Sequence, residues 1–125
     1  MPKVFIAEDD PGLSRMYERA FHLGGYEVEM EKDGKVAIER LAAMQEKPSV
    51  IVLDQHMPGA TGGEVLKAIK GDASLAHIPV AILTNSVTLD SQEEFMALGA
   101  NLFMVKLNTE VKQVVDQVNF LLGRK

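Results

Sequence analysis

The chain has no cysteine and no tryptophan, and aromatic residues make up only 6% of its 125 positions. Without cysteine there is neither a disulfide framework nor thiolate chemistry, which fits a reducing cytoplasm. With so few rings, a platform for stacking nucleic-acid bases is not expected. Long apolar runs are missing too. Nothing approaches the roughly 18–20 residues that span a bilayer, so no membrane partner is expected. The first residues, Met1-Pro2-Lys3-Val4, lead straight into a strand-like run, so no secretion signal is read and the expected localisation is cytoplasmic. An excess of positive charge is also lacking. The net charge of −5 works against nonspecific attraction to a polyanion, so direct nucleic-acid binding by this chain is not expected.

What is present is the composition of one soluble domain, with a length suited to a single hydrophobic core. Strand-like and helix-like patterns alternate five times. Val4–Ala7 is a short apolar run that ends in Glu8-Asp9-Asp10, and Pro11 suits the first turn of a helix capped by Asp10. Leu13, Met16, Tyr17, Ala20 and Phe21 then follow the spacing of one apolar helical face, and Gly24-Gly25 ends it. Tyr26–Met30 alternates as a second strand. Asp33-Gly34 opens a helix with Ala37, Ile38, Leu41 and Met44 on its apolar side.

Val50–Leu53 is a β-branched run of the kind buried on both faces of a parallel sheet, and it ends at Asp54. A Pro58-Gly59 loop leads to a helix over Glu64–Lys70. Ile78–Leu83 reads as the fourth strand, ending at Thr84, and a helix follows over Asp90–Leu98. Leu102–Val105 is the fifth strand and ends at Lys106. Thr109 is the expected cap of a last helix whose Val111, Val114, Val115, Val118 and Leu122 share a face. Alternating βα units imply a parallel sheet with helices on both faces.

In such sheets ligands bind beyond the carboxyl ends of the strands. Here those ends carry Glu8 and Asp9, Asp54, Thr84 and Lys106. Three carboxylates held together repel one another, and a proton or a cation must relieve them. Mg²⁺ suits a few carboxylates plus water and phosphate oxygens. One carboxylate can instead attack phosphorus, with a metal, an ammonium and a hydroxyl donor stabilising the equatorial oxygens.

The motifs Ile6-Ala7-Glu8-Asp9-Asp10, Val52-Leu53-Asp54-Gln55-His56-Met57-Pro58-Gly59 with Gly62, Ile82-Leu83-Thr84 and Gly99–Lys106 occur in that order. Together they resemble the receiver domain of two-component response regulators, over essentially the whole chain. The resemblance implies an α/β fold of flavodoxin-like type, (βα)5, a single doubly wound five-stranded parallel sheet in the order 2-1-3-4-5. It implies one receiver domain over residues 1–125, with no output domain in this chain. It implies that Asp54 is the phosphoacceptor and that Mg²⁺ is bound by Asp9, Asp54, Glu8 through a water, and the backbone carbonyl of His56. Thr84 and Lys106 would grip the phosphoryl oxygens, and Thr84 and Phe103 would form the switch. A histidine kinase or histidine phosphotransfer protein would donate. A downstream protein or output domain would respond to a remodelled helix 4–strand 5–helix 5 face, with a phosphorylation-dependent dimer as a further expectation.

Each of these residues also has a plainer reading. Glu8, Asp9 and Asp10 could simply complement a helix N-terminus, and Asp10 is assigned only that role. Asp54 could be a turn residue, Thr84 a strand residue and Lys106 a solvated charge. The set outweighs each of these. His22 and His77 lack ligand spacing and are read as solvated, and the seven methionines as gap fillers. Two positions depart from the family pattern. Leu107 stands where proline usually follows the lysine in a cis peptide, and a cis bond before leucine would cost about 2.5–4 kcal/mol. Asn85 stands where a small residue usually follows the threonine. The competing classes are an interaction module that no longer accepts phosphate, and an aspartyl-phosphate phosphohydrolase. The latter wants a second aspartate two residues past the nucleophile, where His56 stands.

Overall fold

The computed structural model describes residues 1–85 and 89–124, with residues 89 and 90 described by backbone only. The chain runs β1 (Lys3–Ala7), α1 (Pro11–Leu23), β2 (Glu27–Glu31), α2 (Gly34–Ala43), β3 (Val50–Asp54) and α3 (Gly62–Lys70). It continues through β4 (Val80–Thr84), α4 (Leu89–Ala97), β5 (Leu102–Val105), a 3-10 turn at Lys106–Asn108 and α5 (Val111–Leu121). All strand pairs are parallel, in the order β2-β1-β3-β4-β5 that the resemblance implies.

The strand side chains alternate between two cores. Phe5 and Ala7 of β1, Ile51 and Leu53 of β3 and Ile82 of β4 face α2, α3 and α4, where Leu41, Leu66, Ile69 and Phe95 meet them. Val4, Ile6, Val52 and Leu83 face the other way, against Tyr17 and Phe21 of α1 and Val114 and Val118 of α5. Each large apolar side chain removed from water in these layers contributes about 1.5–3 kcal/mol. Arg40 lies over the Phe5 ring at 5.3 Å and pairs with Glu29 and Glu31, tying α2 to the edge strand β2.

Several boundaries differ from the sequence reading. The fourth strand begins at Val80 rather than Ile78, because Pro79 has no N–H to give the ladder and the Ile78 N–H closes a turn onto the Leu75 carbonyl at 3.0 Å. The second begins at Glu27, since the Tyr26 N–H is spent on the Phe21 carbonyl at 2.9 Å as α1 ends. α3 starts at Gly62, capped by Thr61 in a reciprocal box with Glu64. α4 is shifted by one residue, to Leu89–Ala97. Thr109 does not cap α5. Its hydroxyl donates to the Val105 carbonyl at 2.8 Å across the 3-10 turn, and Glu110 forms the cap with Gln113. Met16, placed on α1's apolar face by spacing, is 54% exposed. Asp10 and Asp33 cap α1 and α2 as expected.

One close approach sets the loop that follows β3. The Gly34 N–H donates to the Pro58 carbonyl at 2.9 Å, and a Cβ on Gly34 would stand 2.0 Å from the Ala60 carbonyl oxygen. The β3–α3 loop therefore lies directly on the first turn of α2. Gly34→Ala is expected to destabilise the fold by about 2–4 kcal/mol, because backbone must move to admit the methyl. Urea unfolding of the variant beside wild type measures the loss, and an unchanged midpoint would rule out this packing.

Candidate functional site

The order of the sheet makes β1 and β3 neighbours, and their last paired residues are Ala7 and Leu53. The next residue on each strand is an acid. Glu8 and Asp54 are almost wholly buried, at 1% and 3% exposure, while Asp9 is open to solvent. One carboxylate oxygen from each of Glu8, Asp9 and Asp54 lies within 4.8 Å of the other two. Lys106, at the end of β5, reaches across the edge: its Nζ donates to Glu8 Oε1 at 2.9 Å and lies 3.3 Å from Asp54 Oδ2.

Burial decides the electrostatics. Taking the Glu8 carboxyl out of water pushes its pKa up to about 7; the Lys106 hydrogen bond opposes this, and the neighbouring Asp54 adds to it. Burial alone would lower the Lys106 ammonium, but hydrogen bonds and charge from Glu8 and Asp54 outweigh it and the net shift is upward. Lys106 is thus a fixed cation. One ammonium for three acids leaves the centre negative.

The rest of the first strand's end is built to hold Glu8. Its N–H donates to the Glu31 carbonyl at 2.9 Å, the Asp10 N–H donates to Glu8 Oε2 at 3.2 Å, and the Ser14 hydroxyl donates to the Glu8 carbonyl at 3.1 Å. Tyr17, buried beside them, has its phenol pushed up to about 12 by burial and by the charges of Glu8 and Asp54, so it stays protonated. Past Asp54, Gln55 anchors the start of α3: its carbonyl accepts from the Gly62 N–H at 3.0 Å and its side-chain Oε1 from the Gly63 N–H at 2.9 Å. A Cβ on Gly62 would come within 2.6 Å of the Asp54 carbonyl oxygen, so only glycine lets the helix start so near the acid. The sequence reading gives none of Ser14, Tyr17 and Gln55 a role in the site.

The other expected residues fall as follows. Thr84 ends β4, one step beyond the Leu83 that pairs with Asp54, and is fully buried. By alternation it shares a sheet face with Ile82 and Phe103, and Phe103 packs on Phe95 of α4 with ring centroids 5.9 Å apart. His56 lies in the loop with an exposed side chain, outside the carboxylate cluster. His22 and His77 are exposed and belong to no such cluster among the described residues. Asn85 is exposed, and Leu107 is 80% exposed. Among the described residues no peptide bond is cis, so Lys106–Leu107 is trans, and the ammonium still reaches Asp54.

An all-oxygen carboxylate set, two-thirds buried and open at Asp9, suits a hard divalent cation and not a soft one. The response regulator receiver domain, as a family, matches residues 4–118. The chain belongs to this family. It is a receiver domain of the two-component response regulators, which are signalling switches and not classical enzymes. The transcriptional regulatory protein PrrA of Mycobacterium tuberculosis is 31% identical over 124 residues, covering 99% of this chain and 51% of PrrA. The receiver thus spans about half the length of such regulators. The phosphorylated cyanobacterial phytochrome response regulator RcpA superposes with a TM-score of 0.86 at 28% identity, over 97% of this chain and 93% of its own. The Mn²⁺-bound response regulator Rcp1 does so at 0.85 and 26% identity, over 98% of this chain and 95% of its own. Among the described residues no helix is long and apolar enough to cross a membrane.

The Glu8 shift has a pH signature. Its folded-state pKa lies above the ordinary value of 4.5, so its contribution to stability is complete below that value and is lost as pH rises through about 7. In metal-free buffer, wild type is therefore expected to lose melting temperature relative to Glu8→Gln between about pH 4.5 and pH 7. Added Mg²⁺ should narrow the gap at the upper end. A gap that stays constant across this range would show that Glu8 titrates normally.

Proposed function

We propose that this receiver is a phosphorylation-driven switch in which Asp54 accepts a phosphoryl group from a histidine kinase or a histidine phosphotransfer protein. The observation that carries this reading is the placing of Lys106 between two buried acids, one of which ends the central strand. An Asp54 oxygen attacks phosphorus, the phosphorus–nitrogen bond of the donor's phosphohistidine breaks, and the imidazole leaves with the bond's electron pair and takes up a proton. The attacking oxygen belongs to a carboxyl that lies 3.3 Å from the Lys106 ammonium.

Mg²⁺ fits the oxygen donors of Glu8, Asp9 and Asp54, with the backbone carbonyl of His56 as a fourth, and when bound it would supply charge stabilisation to the transferred phosphoryl. Lys106 and the Thr84 hydroxyl would hold the phosphoryl oxygens from the other side. Thr84 shares its sheet face with Phe103, which packs on α4, so a pull on Thr84 would be felt there. The α4–β5–α5 face would then change for a downstream protein or output domain. We take residues 1–125 to act as one receiver unit working in the cytoplasm, without direct contact to nucleic acid. The phosphohydrolase alternative gains nothing, because His56, with its side chain in solvent, stands where an aspartate acid/base would be needed.

Incubation with Mg²⁺ and acetyl phosphate is expected to add one labile phosphoryl group by intact mass, and none to Asp54→Ala or in the presence of EDTA. Lys106→Ala is expected to slow the reaction by about 100-fold. An unmodified wild type, or equal modification of Asp54→Ala, would remove the switch reading.

A further inference from the structure

β5 is the last strand of the sheet, paired with β4 on one side and, among the described residues, with no strand on the other. In a parallel ladder alternate residues bond to the neighbour, and the rest turn their N–H and C=O away. Half of β5's backbone groups therefore face an open edge, which is a template for one more strand. A groove of about 370 Å³ runs along that edge. All four residues of β5 line it, and Asn108 of the 3-10 turn stands across from them with Gln113 and Gln117 of α5.

The lining points to the occupant. No charged side chain belongs to it, in a chain of net charge −5. What it offers is amide, which gives and takes hydrogen bonds as a peptide group does. Gln113 and Gln117 stand one helical turn apart on α5. That turn rises about 5.4 Å, close to the roughly 6.6 Å between like-facing residues of a strand. Gln113 Oε1 accepts from the Glu110 N–H at 2.7 Å, so its NH₂ is what it presents to the groove. Among the described residues, the side chains of Asn108 and Gln117 make no hydrogen bond. A strand laid here would pair with β5 along one edge and with these amides along the other. A helix spends its backbone groups internally and could use neither row.

We propose that this groove takes an extended, uncharged segment of the downstream protein, which joins the sheet as a sixth strand beside β5. The proposal rests on the α4–β5–α5 face being the output side, and adds the form of what binds there. Recognition of this kind takes its affinity from main-chain hydrogen bonds and its selectivity from the side chains that line the slot.

The probe is the heptapeptide acetyl-Ser-Thr-Val-Ser-Val-Thr-Ser-amide, added to the unphosphorylated chain, with amide hydrogen exchange read by NMR. So short a strand is expected to bind with a dissociation constant on the order of 1 mM. At roughly 10 mM peptide, exchange at the outward β5 amides should then slow about tenfold. The same peptide N-methylated at every residue should leave them unchanged. Asn108→Ala with Gln117→Ala, both at exposed positions, should weaken binding about tenfold without lowering the melting temperature. Unslowed β5 amides would overturn the proposal. So would a response that survives N-methylation or the double substitution. Protection already present without peptide would also overturn it, by giving the edge to a second copy of the chain. Reaction of Asp54 with acetyl phosphate is read separately by intact mass, so a failed strand addition and a failed switch are told apart.

Discussion

Two carboxylates at neighbouring strand ends, Glu8 and Asp54, are shut away from water with a single ammonium between them, and Lys106 has to come from 98 residues along the chain to supply it. Two buried anions cannot both be stable on one cation, particularly with Asp9 close by. The remaining charge must be met by a proton, which burial favours on Glu8, or by a divalent cation at the open side. Either response is linked to the state of Asp54. The strand order that makes β1 and β3 adjacent and the 3-10 turn that starts at Lys106 both serve this one arrangement.

Around it, the backbone is held with little slack. Glu8 is fixed by the carbonyl of Glu31, the N–H of Asp10 and the hydroxyl of Ser14. The loop after Asp54 is fixed by Gln55, Thr61 and the close approaches at Gly34 and Gly62. Fixed dipoles around a site of changing charge need little reorganisation when that charge appears. Elsewhere the packing is looser: Phe103 lies against Phe95 of α4 and is only partly buried. A half-buried ring has room to take a second position, as the tightly packed Leu53 or Ile82 does not.

The five apolar runs announce the strands, and the residues that follow them announce the edge. Asp54 stood out because an acid after Val50–Leu53 has no place in a core. Asp10 and Asp33 were readable as caps because capping is local chemistry. Other readings failed where a distant partner decides. Thr109 is as good a cap by type as Glu110, but the Val105 carbonyl takes its hydroxyl. Met16 has the right spacing for the core yet lies more than half in solvent. Ile78 looks like strand, but Pro79 and the turn from Leu75 delay the ladder to Val80. Ser14, Tyr17 and Gln55 were illegible as site residues, because each acts through a neighbour that the fold supplies.

By itself, then, the sequence determined the alternation of elements, the doubly wound sheet and the list of acids, hydroxyl and lysine at its edge, since periodicity and capping act over a few residues. Only the tertiary structure decided that Lys106 divides itself between Glu8 and Asp54 from a trans peptide, that Gln55 fastens α3 beneath the acid, and that Leu23 and Phe120 remain in water. Those outcomes depend on distances between elements far apart in the chain. Local preference does not encode such distances until packing has set them.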